Sequence, residues 1–474
     1  MASGIDRNRL ALGVTAVALS ALGWWFGSGL HPWWWMTWLA PLPVLLAAPR
    51  LRAGWCALVA FAAYALGGLN EWDYLHGHIG LPLAVIVLAI AGPGVTLALC
   101  TLLYRRLLSR GRPMAAVLAA PTLWVTIEYL NTQLSPHGTF GSISYTQMDA
   151  LPILQLAALT GMWGISFLLL LVPSALAVQC APGTASRDRG RIAAITVLLL
   201  VASAGYGVWR LQAPATSSLR VGLVSLDKPI RPPLNDAQGQ ALAARYVVAI
   251  DRLADQGARV VVLPETSFAT ADVTLPTFAA LANNRHLVLD VGVDDKRDPQ
   301  AEHNSAMVFQ PGAGTPVIYD KRHLIPGFED TYTPGKHDRL LNGTPRMGLA
   351  ICKDMDFHDI GQTYAAYGAQ LLLVPAWDFV VDGWLHSRMA IMRGVESGFA
   401  MARVARSGRL TLSDDRGRVV AEASSEAHDA DLVGNLPLRE THTLYARWGN
   451  WFAWLDLLAL LVLLIRAVRP APAA

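Results

Sequence analysis

Charge is scarce in this chain. Of 474 residues only 15% are Asp, Glu, Lys or Arg, against 53% hydrophobic, and the mean hydropathy is +0.36. That excludes an ordinary soluble protein and points to several membrane spans plus a globular part. The net charge of +3 is too small to argue for nucleic acid, and no basic cluster is interleaved with aromatics, so nucleic acid is not an expected partner. Cysteine is equally sparse, with four in all. Cys56 and Cys100 fall in apolar runs, Cys180 sits at a helix end, and Cys352 stands alone. No CxxC or Cys/His spacing suggests zinc and no disulfide framework is available, so neither a metal nor a cofactor is expected. Internal repeats and low-complexity segments are absent.

What is present is a row of apolar runs at 10–25, 33–48, 55–69, 81–104, 114–130, 151–178, 192–208 and 451–468. Each is long enough, or nearly so, for the ~20 residues that cross a bilayer as helix. Residues 1–212 therefore read as a membrane domain of seven spans, with 451–468 as an eighth. Arginines mark alternate loops: Arg7 and Arg9, Arg50 and Arg52, Arg105 to Arg112, Arg187 to Arg191, then Arg466 and Arg469. The positive-inside rule then places both termini in the cytoplasm. It puts the intervening charged segment, 219–440, outside, which is the periplasm for an inner-membrane protein. The first run, preceded by Arg7 and Arg9, resembles a signal peptide, but removing it would spoil the alternation, so a retained helix is expected.

Segment 219–440 alternates β-type runs such as Arg220-Val221-Gly222-Leu223-Val224 with stretches of helical periodicity at 246–256 and 384–406. This predicts a layered α/β sandwich with its site at strand ends. Three chemical residues close such runs: Glu265 after Val260 to Pro264, Lys321 after Val317 to Asp320, and Cys352 after Met347 to Ile351. A thiol needs a base to become a thiolate and a cation to hold the oxyanion its attack creates. Glu, Lys and Cys supply base, cation and nucleophile, and an enzyme forming a thioester follows.

The stretches Leu263-Pro264-Glu265, Tyr319-Asp320-Lys321-Arg322-His323-Leu324 and Ile351-Cys352 resemble the nitrilase, or carbon–nitrogen hydrolase, superfamily. With the membrane half, the resemblance narrows to the apolipoprotein N-acyltransferase family. It rests there on Trp124 to Glu128, Gly138-Thr139-Phe140, Ser144 to Gln147, Gln155, Gly161 to Phe167, and Thr443 to Asn450. It implies an αββα catalytic sandwich on about eight transmembrane helices, with Glu265 as general base, Lys321 as oxyanion holder and Cys352 as acylated nucleophile. Glu329 stands where the family has a second, supporting carboxylate. The implied donor is a membrane phospholipid and the implied acceptor the N-terminal amine of a diacylglyceryl-cysteine apolipoprotein. A membrane-anchored amidase, or an acyltransferase using another amine, is the alternative. A monomer is expected.

An acyl donor needs an apolar route to the thiol, since each buried methylene is worth ~0.8 kcal/mol. Trp377, Phe379, Val380, Val381 and Trp384 crowd one loop and are candidates for its wall, with core packing as the competing reading. Leu324, Ile325 and Phe328 are candidate loop contacts. Glu128 near a span end is a candidate at the lipid entry, whereas His137 reads as an unremarkable loop residue. The family pattern is broken after the nucleophile: Lys353-Asp354 replaces an aromatic residue and Glu. Lys353 is expected to set a second cation beside the thiol and lower its pKa. Asp354 is one methylene shorter than Glu.

Overall fold

The computed structural model describes residues 7–226 and 230–469. The chain divides into two compact units, one comprising Met1–Leu134, Gly141–Leu211 and Asn450–Ala474, the other Ser135–Phe140 and Gln212–Gly449.

In the first unit six helices among the described residues are long and apolar enough to cross a membrane: Arg7–Gly27, Ala53–Glu71, Leu83–Ser109, Pro113–Leu134, Ser186–Leu211 and Trp451–Val468. Two expected spans take other forms. Run 33–48 contains only the six-residue helix Leu42–Ala47, preceded by turns. Its backbone is packed onto Arg7–Gly27 where that helix carries glycine. A Cβ on Gly23 would lie 2.8 Å from Ala40 Cα, and one on Gly27 would lie 2.8 Å from Thr37 N. Thr37 Oγ1 donates to Gly27 O at 2.5 Å, tying the turn to the helix end. Run 151–178 is likewise broken into Leu151–Leu154, Ala157–Thr160 and Trp163–Gln179.

The second unit is a four-layer sandwich. Its first sheet holds β1 (Ser217–Ser225), β2 (Val260–Val262), β3 (Phe268–Thr270), β4 (Val288–Asp295), β5 (His303–Phe309) and β6 (Val317–Asp320). The second holds β7 (Leu340–Leu341), β8 (Met347–Leu349), β9 (Leu371–Trp377), β10 (Ala400–Arg406), β11 (Arg409–Ser413) and β12 (Val419–Ser424), while β13 (Ala430–Leu438) returns to the first. The orders are β13-β1-β2-β4-β5-β6, with β3 beside β4, and β12-β11-β10-β9-β8-β7.

Period-two alternation builds the layers. Val221 and Leu223 of β1 meet Leu371 and Leu373 of β9 in the core between the sheets. Val224, one residue out of phase, joins Leu242, Tyr246 and Ile250 of the helix Ala237–Asp255 on the outer face. Leu372 and Val374 likewise face Ile360 and Tyr364 of the helix His358–Ala366 and Ala390 of Gly383–Ser397. Each such buried aliphatic side chain contributes about 1.5–3 kcal/mol.

The segment 384–406 is not one helix. It ends at Ser397, Gly398 turns into the left-handed region at φ 87, and Ala400–Arg406 continues as a fully buried strand. The tertiary environment overrides the helical period because both faces of β10 are covered.

Candidate active site

The sandwich brings the ends of β2, β6 and β8 together. Glu265 follows β2 after the two residues Leu263 and Pro264, and its N–H donates to Ala376 O of β9 at 3.4 Å, joining the two sheets at this edge. The turn fits only because residue 292 is glycine: a Cβ there would lie 2.1 Å from Pro264 O and 2.8 Å from Glu265 Cα. Lys321 follows β6, and its N–H donates to Asn304 O at 2.8 Å.

The side chains form one buried charge cluster. Lys321 Nζ donates to Glu265 Oε1 at 2.7 Å and to Glu329 Oε1 and Oε2 at 3.0 and 2.8 Å. Asn304 Nδ2 bridges the two carboxylates, at 2.5 Å from Glu265 Oε1 and 2.7 Å from Glu329 Oε1. Ile325 N–H donates to Glu329 Oε2 at 2.8 Å. Lys321 is fully buried and Glu265 and Glu329 are each 4% exposed, so charge interactions act here with little water between them. Burial pushes the Glu265 carboxyl above its ordinary range; Lys321 opposes the rise and Glu329 adds to it. Burial weakens the Lys321 ammonium, but Glu265, Cys352 and Glu329 together hold its pKa well above the ordinary value.

Cys352 opens a 3-10 turn, Cys352–Asp356, with its own backbone left-handed at φ 44. A non-glycine residue there carries roughly 1–3 kcal/mol of strain. Asp354 holds it in place. Ile351 N–H donates to Asp354 Oδ2 at 3.0 Å and Asp354 N–H returns to Ile351 O at 2.9 Å. Tyr319 Oη donates to Oδ2 at 2.8 Å, while the N–H groups of Arg322 and His323 reach Oδ1 at 3.2 and 2.9 Å. Asp354 thus ties the Cys352 turn to the loop that carries Lys321.

The Cys352 thiol lies 3.6 Å from Trp377 O. Burial first, then Glu265, push its pKa well above the ordinary thiol value, against Lys321 and Arg403. Glu265 is thus the carboxyl whose charge bears most on the sulfur. Lys353 does not supply the second cation expected at the sulfur. Its Nζ points to His137 Nδ1 at 3.3 Å and Asp356 Oδ2 at 3.4 Å, and lies over the Phe357 ring at 5.9 Å. His137 accordingly has a defined partner in Lys353.

Of the expected acyl-wall residues, Trp377 abuts the thiol through its carbonyl. Phe328 and Phe379 pack edge to face at 5.1 Å, with Phe328 49% exposed. Trp384 instead lies one turn from Arg388, whose guanidinium is 5.2 Å from its ring. Glu128 belongs to the other unit, where Oε1 accepts from Ser142 Oγ and Ile143 N–H, both at 3.0 Å, and caps the turn that starts there.

Sequence reasoning passed over the pair Arg403–Asp378. Arg403 Nη1 and Nη2 reach the two Asp378 oxygens at 3.0 and 2.5 Å, and both residues are buried. This fork fixes the loop after β9, which carries Trp377. An arginine between the apolar residues Ala402 and Val404 in the strand Ala400–Arg406 was the available signal.

Comparison with known proteins places this geometry in context. The profile of the carbon-nitrogen hydrolase family matches residues 221–446, and that of the apolipoprotein N-acyltransferase N-terminal domain matches 19–175. Along both halves the chain is similar to apolipoprotein N-acyltransferases. An apolipoprotein N-acyltransferase of Geobacter metallireducens is 26% identical over 94% of this chain and 92% of its own length. That of Azotobacter vinelandii is 29% identical over 85% and 84%. Among solved structures, an amidase from Nesterenkonia sp. aligns with a TM-score of 0.39 at 22% identity, over 47% of this chain and 91% of its own.

Proposed function

We propose that this chain is a phospholipid-dependent N-acyltransferase that acylates the N-terminal amine of diacylglyceryl-cysteine apolipoproteins through a Cys352 thioester. The observation that carries the reading is the buried Glu265–Lys321 pair, 2.7 Å apart, in a chain that also holds Cys352 on left-handed backbone and, among the described residues, six bilayer-length apolar helices. In the first half-reaction Glu265 takes the thiol proton and sulfur attacks the glycerol ester carbonyl. Lys321 stabilises the oxyanion, the C–O bond breaks, and the departing alkoxide takes the proton from Glu265 to leave as lysophospholipid. In the second, the acceptor amine attacks the thioester and loses a proton to Glu265. The C–S bond then breaks and the proton returns to sulfur. Glu329 and Asn304 hold Glu265 and Lys321 in register.

Under this reading the enzyme works as a monomer in the bacterial inner membrane. Segments 1–212 and 451–468 form the membrane domain, and 219–440 is the periplasmic catalytic domain. The proposed topology has eight crossings, with the broken runs 33–48 and 151–178 completing it and both termini in the cytoplasm. Phe328 and Phe379 line the acyl path beside the Trp377 backbone, and Glu128 stands at the lipid entry. Intact-mass spectrometry of the protein after incubation with phosphatidylethanolamine tests the chemistry. The expected result is an added acyl mass that is absent in Cys352→Ala and discharged by a diacylglyceryl-cysteine peptide. Acylation that water alone discharges would instead establish the hydrolase.

A further inference from the structure

Trp377, whose carbonyl lies against the Cys352 thiol, carries a guanidinium over its ring from each of two distant segments. Arg231 Cζ and Arg406 Cζ each lie 4.9 Å from the ring centroid. Arg406 is buried, whereas Arg231 and Trp377 are half-exposed. Arg231 Nε donates to Thr266 Oγ1 at 3.2 Å, on the residue that follows Glu265. Its Cζ also lies 5.8 Å from the Tyr332 ring. Among the described residues its two Nη groups have no hydrogen-bond or ion-pair partner. Both Arg231 and Thr266 hold left-handed backbone, at φ 46 each, so the chain accepts strain on both sides of this contact.

A guanidinium held by stacking on one face and by Nε on its edge presents its remaining N–H groups as a fork. That is the geometry that receives two oxygens of a phosphate or carboxylate. The carboxylates near the Tyr332 hydroxyl have other partners: Glu265 pairs with Lys321 and Asp294 with Lys296. We infer that Arg231, seated on Trp377, binds the phosphate of the donor phospholipid and so sets which ester reaches Cys352. The inference rests on the function proposed above. Its chemistry fits the substrate, because the glycerol backbone places the phosphorus only a few bonds from the ester carbonyl under attack. The acceptor, a diacylglyceryl-cysteine, has no phosphate at that place. The fork therefore serves the first half-reaction and is released with the lysophospholipid.

The test compares two acyl donors in the same detergent micelles: dipalmitoyl phosphatidylethanolamine and p-nitrophenyl palmitate, which has no phosphate. Acyl-enzyme formation is followed by intact mass in the full-length wild type, Arg231→Ala and Arg231→Lys. The ratio of the phospholipid rate to the nitrophenyl ester rate should fall about tenfold or more in Arg231→Ala and recover in large part in Arg231→Lys. If Arg231 serves only to stiffen the Trp377 loop, both donors slow together, the ratio holds and the inference is overturned. Acylation of the wild type by phospholipid with an unchanged ratio in Arg231→Ala removes this inference alone. Failure of the wild type to accept an acyl group from phospholipid removes the proposed function with it.

Discussion

Lys321 and Glu329 are joined by two hydrogen bonds, with Nζ 3.0 Å from Oε1 and 2.8 Å from Oε2. The same ammonium serves Glu265, so one buried cation faces two buried carboxylates. Burial and the Glu329 charge raise the Glu265 pKa while Lys321 lowers it. A base that loses its proton only at raised pH gives an acylation rate that climbs with pH through its own titration. Glu329→Gln removes the like charge and leaves Lys321 to Glu265 alone, so the Glu265 pKa should fall. The acidic limb of the pH–rate profile for acyl-enzyme formation is expected to move to lower pH, with a slower plateau because the base is weaker. A limb that stays in place would show that Glu329 does not act on Glu265 through its charge.

Asp354 accepts from five donors around the Cys352 turn. Burial alone would raise its pKa, but hydrogen bonds from His323, Ile351 and Tyr319 outweigh it and the folded value lies below the ordinary 3.8. A carboxylate with a depressed folded pKa stabilises the fold above its unfolded pKa and loses that contribution as pH falls through the folded value. Asp354→Asn is expected to destabilise the protein by roughly 2–3 kcal/mol at neutral pH, with the deficit shrinking below about pH 3.8. Thermal unfolding of both proteins at pH 7 and pH 3 measures it. An equal deficit at both values would mean that shape, not charge, is what Asp354 supplies.

Glu265, Lys321 and Cys352 were legible because each closes a β-type apolar run, and strand ends are where a sheet leaves side chains free for chemistry. The sandwich was legible for the same reason, in alternations such as Leu371 to Val374. Two kinds of feature were not. One is local ambiguity: Ala400 to Arg406 fits helix and strand periods alike, and only burial on both faces decides. Run 33–48 is apolar enough for a span, yet its prolines and the glycine face of the first helix favour turns. The other is pairing across sequence. Arg403 with Asp378, Lys353 with His137 and Arg231 with Trp377 leave no mark in spacing, since each partner is supplied by the fold.

Lys353 follows Cys352 but directs its ammonium to His137 and Asp356. The 135–140 loop is held there as well, by Thr139 N–H and Oγ1 donating to Asp356 O at 3.0 and 2.7 Å. Lys353→Met is therefore expected to shift the midpoint of Cys352 alkylation against pH by less than about half a unit. The 135–140 loop, however, should become more open to proteolysis. Burial and Lys353 lower the His137 pKa from 6.5, so the docking contribution of neutral His137 is present above that value and lost as pH falls through the folded one. Wild-type loop cleavage should rise on acidification, and His137→Gln should blunt the rise. A large alkylation shift in Lys353→Met would restore the ammonium to the thiol's electrostatics.

Asp290 in β4 is fully buried on the face between the sheets, opposite Val262 and Val308 in register, and neither carboxyl oxygen has a partner among the described residues. Burial holds its pKa well above the ordinary 3.8. A carboxyl with a raised folded pKa favours the fold below its unfolded value, and that contribution is lost as pH rises toward the folded one. Each pH unit in that window is worth about 1.4 kcal/mol, and an unpaired buried hydroxyl adds a desolvation cost of about 1–3 kcal/mol. Asp290→Val keeps the branched volume of its neighbours and removes both penalties. It should stabilise the protein by roughly 1–4 kcal/mol at pH 7.5, and the gain should diminish toward pH 4.5. Thermal midpoints across that range decide the matter. A midpoint lowered at every pH would mean that the carboxyl fills a polar role between the sheets that valine does not, and that its burial serves the adjoining Glu265 turn.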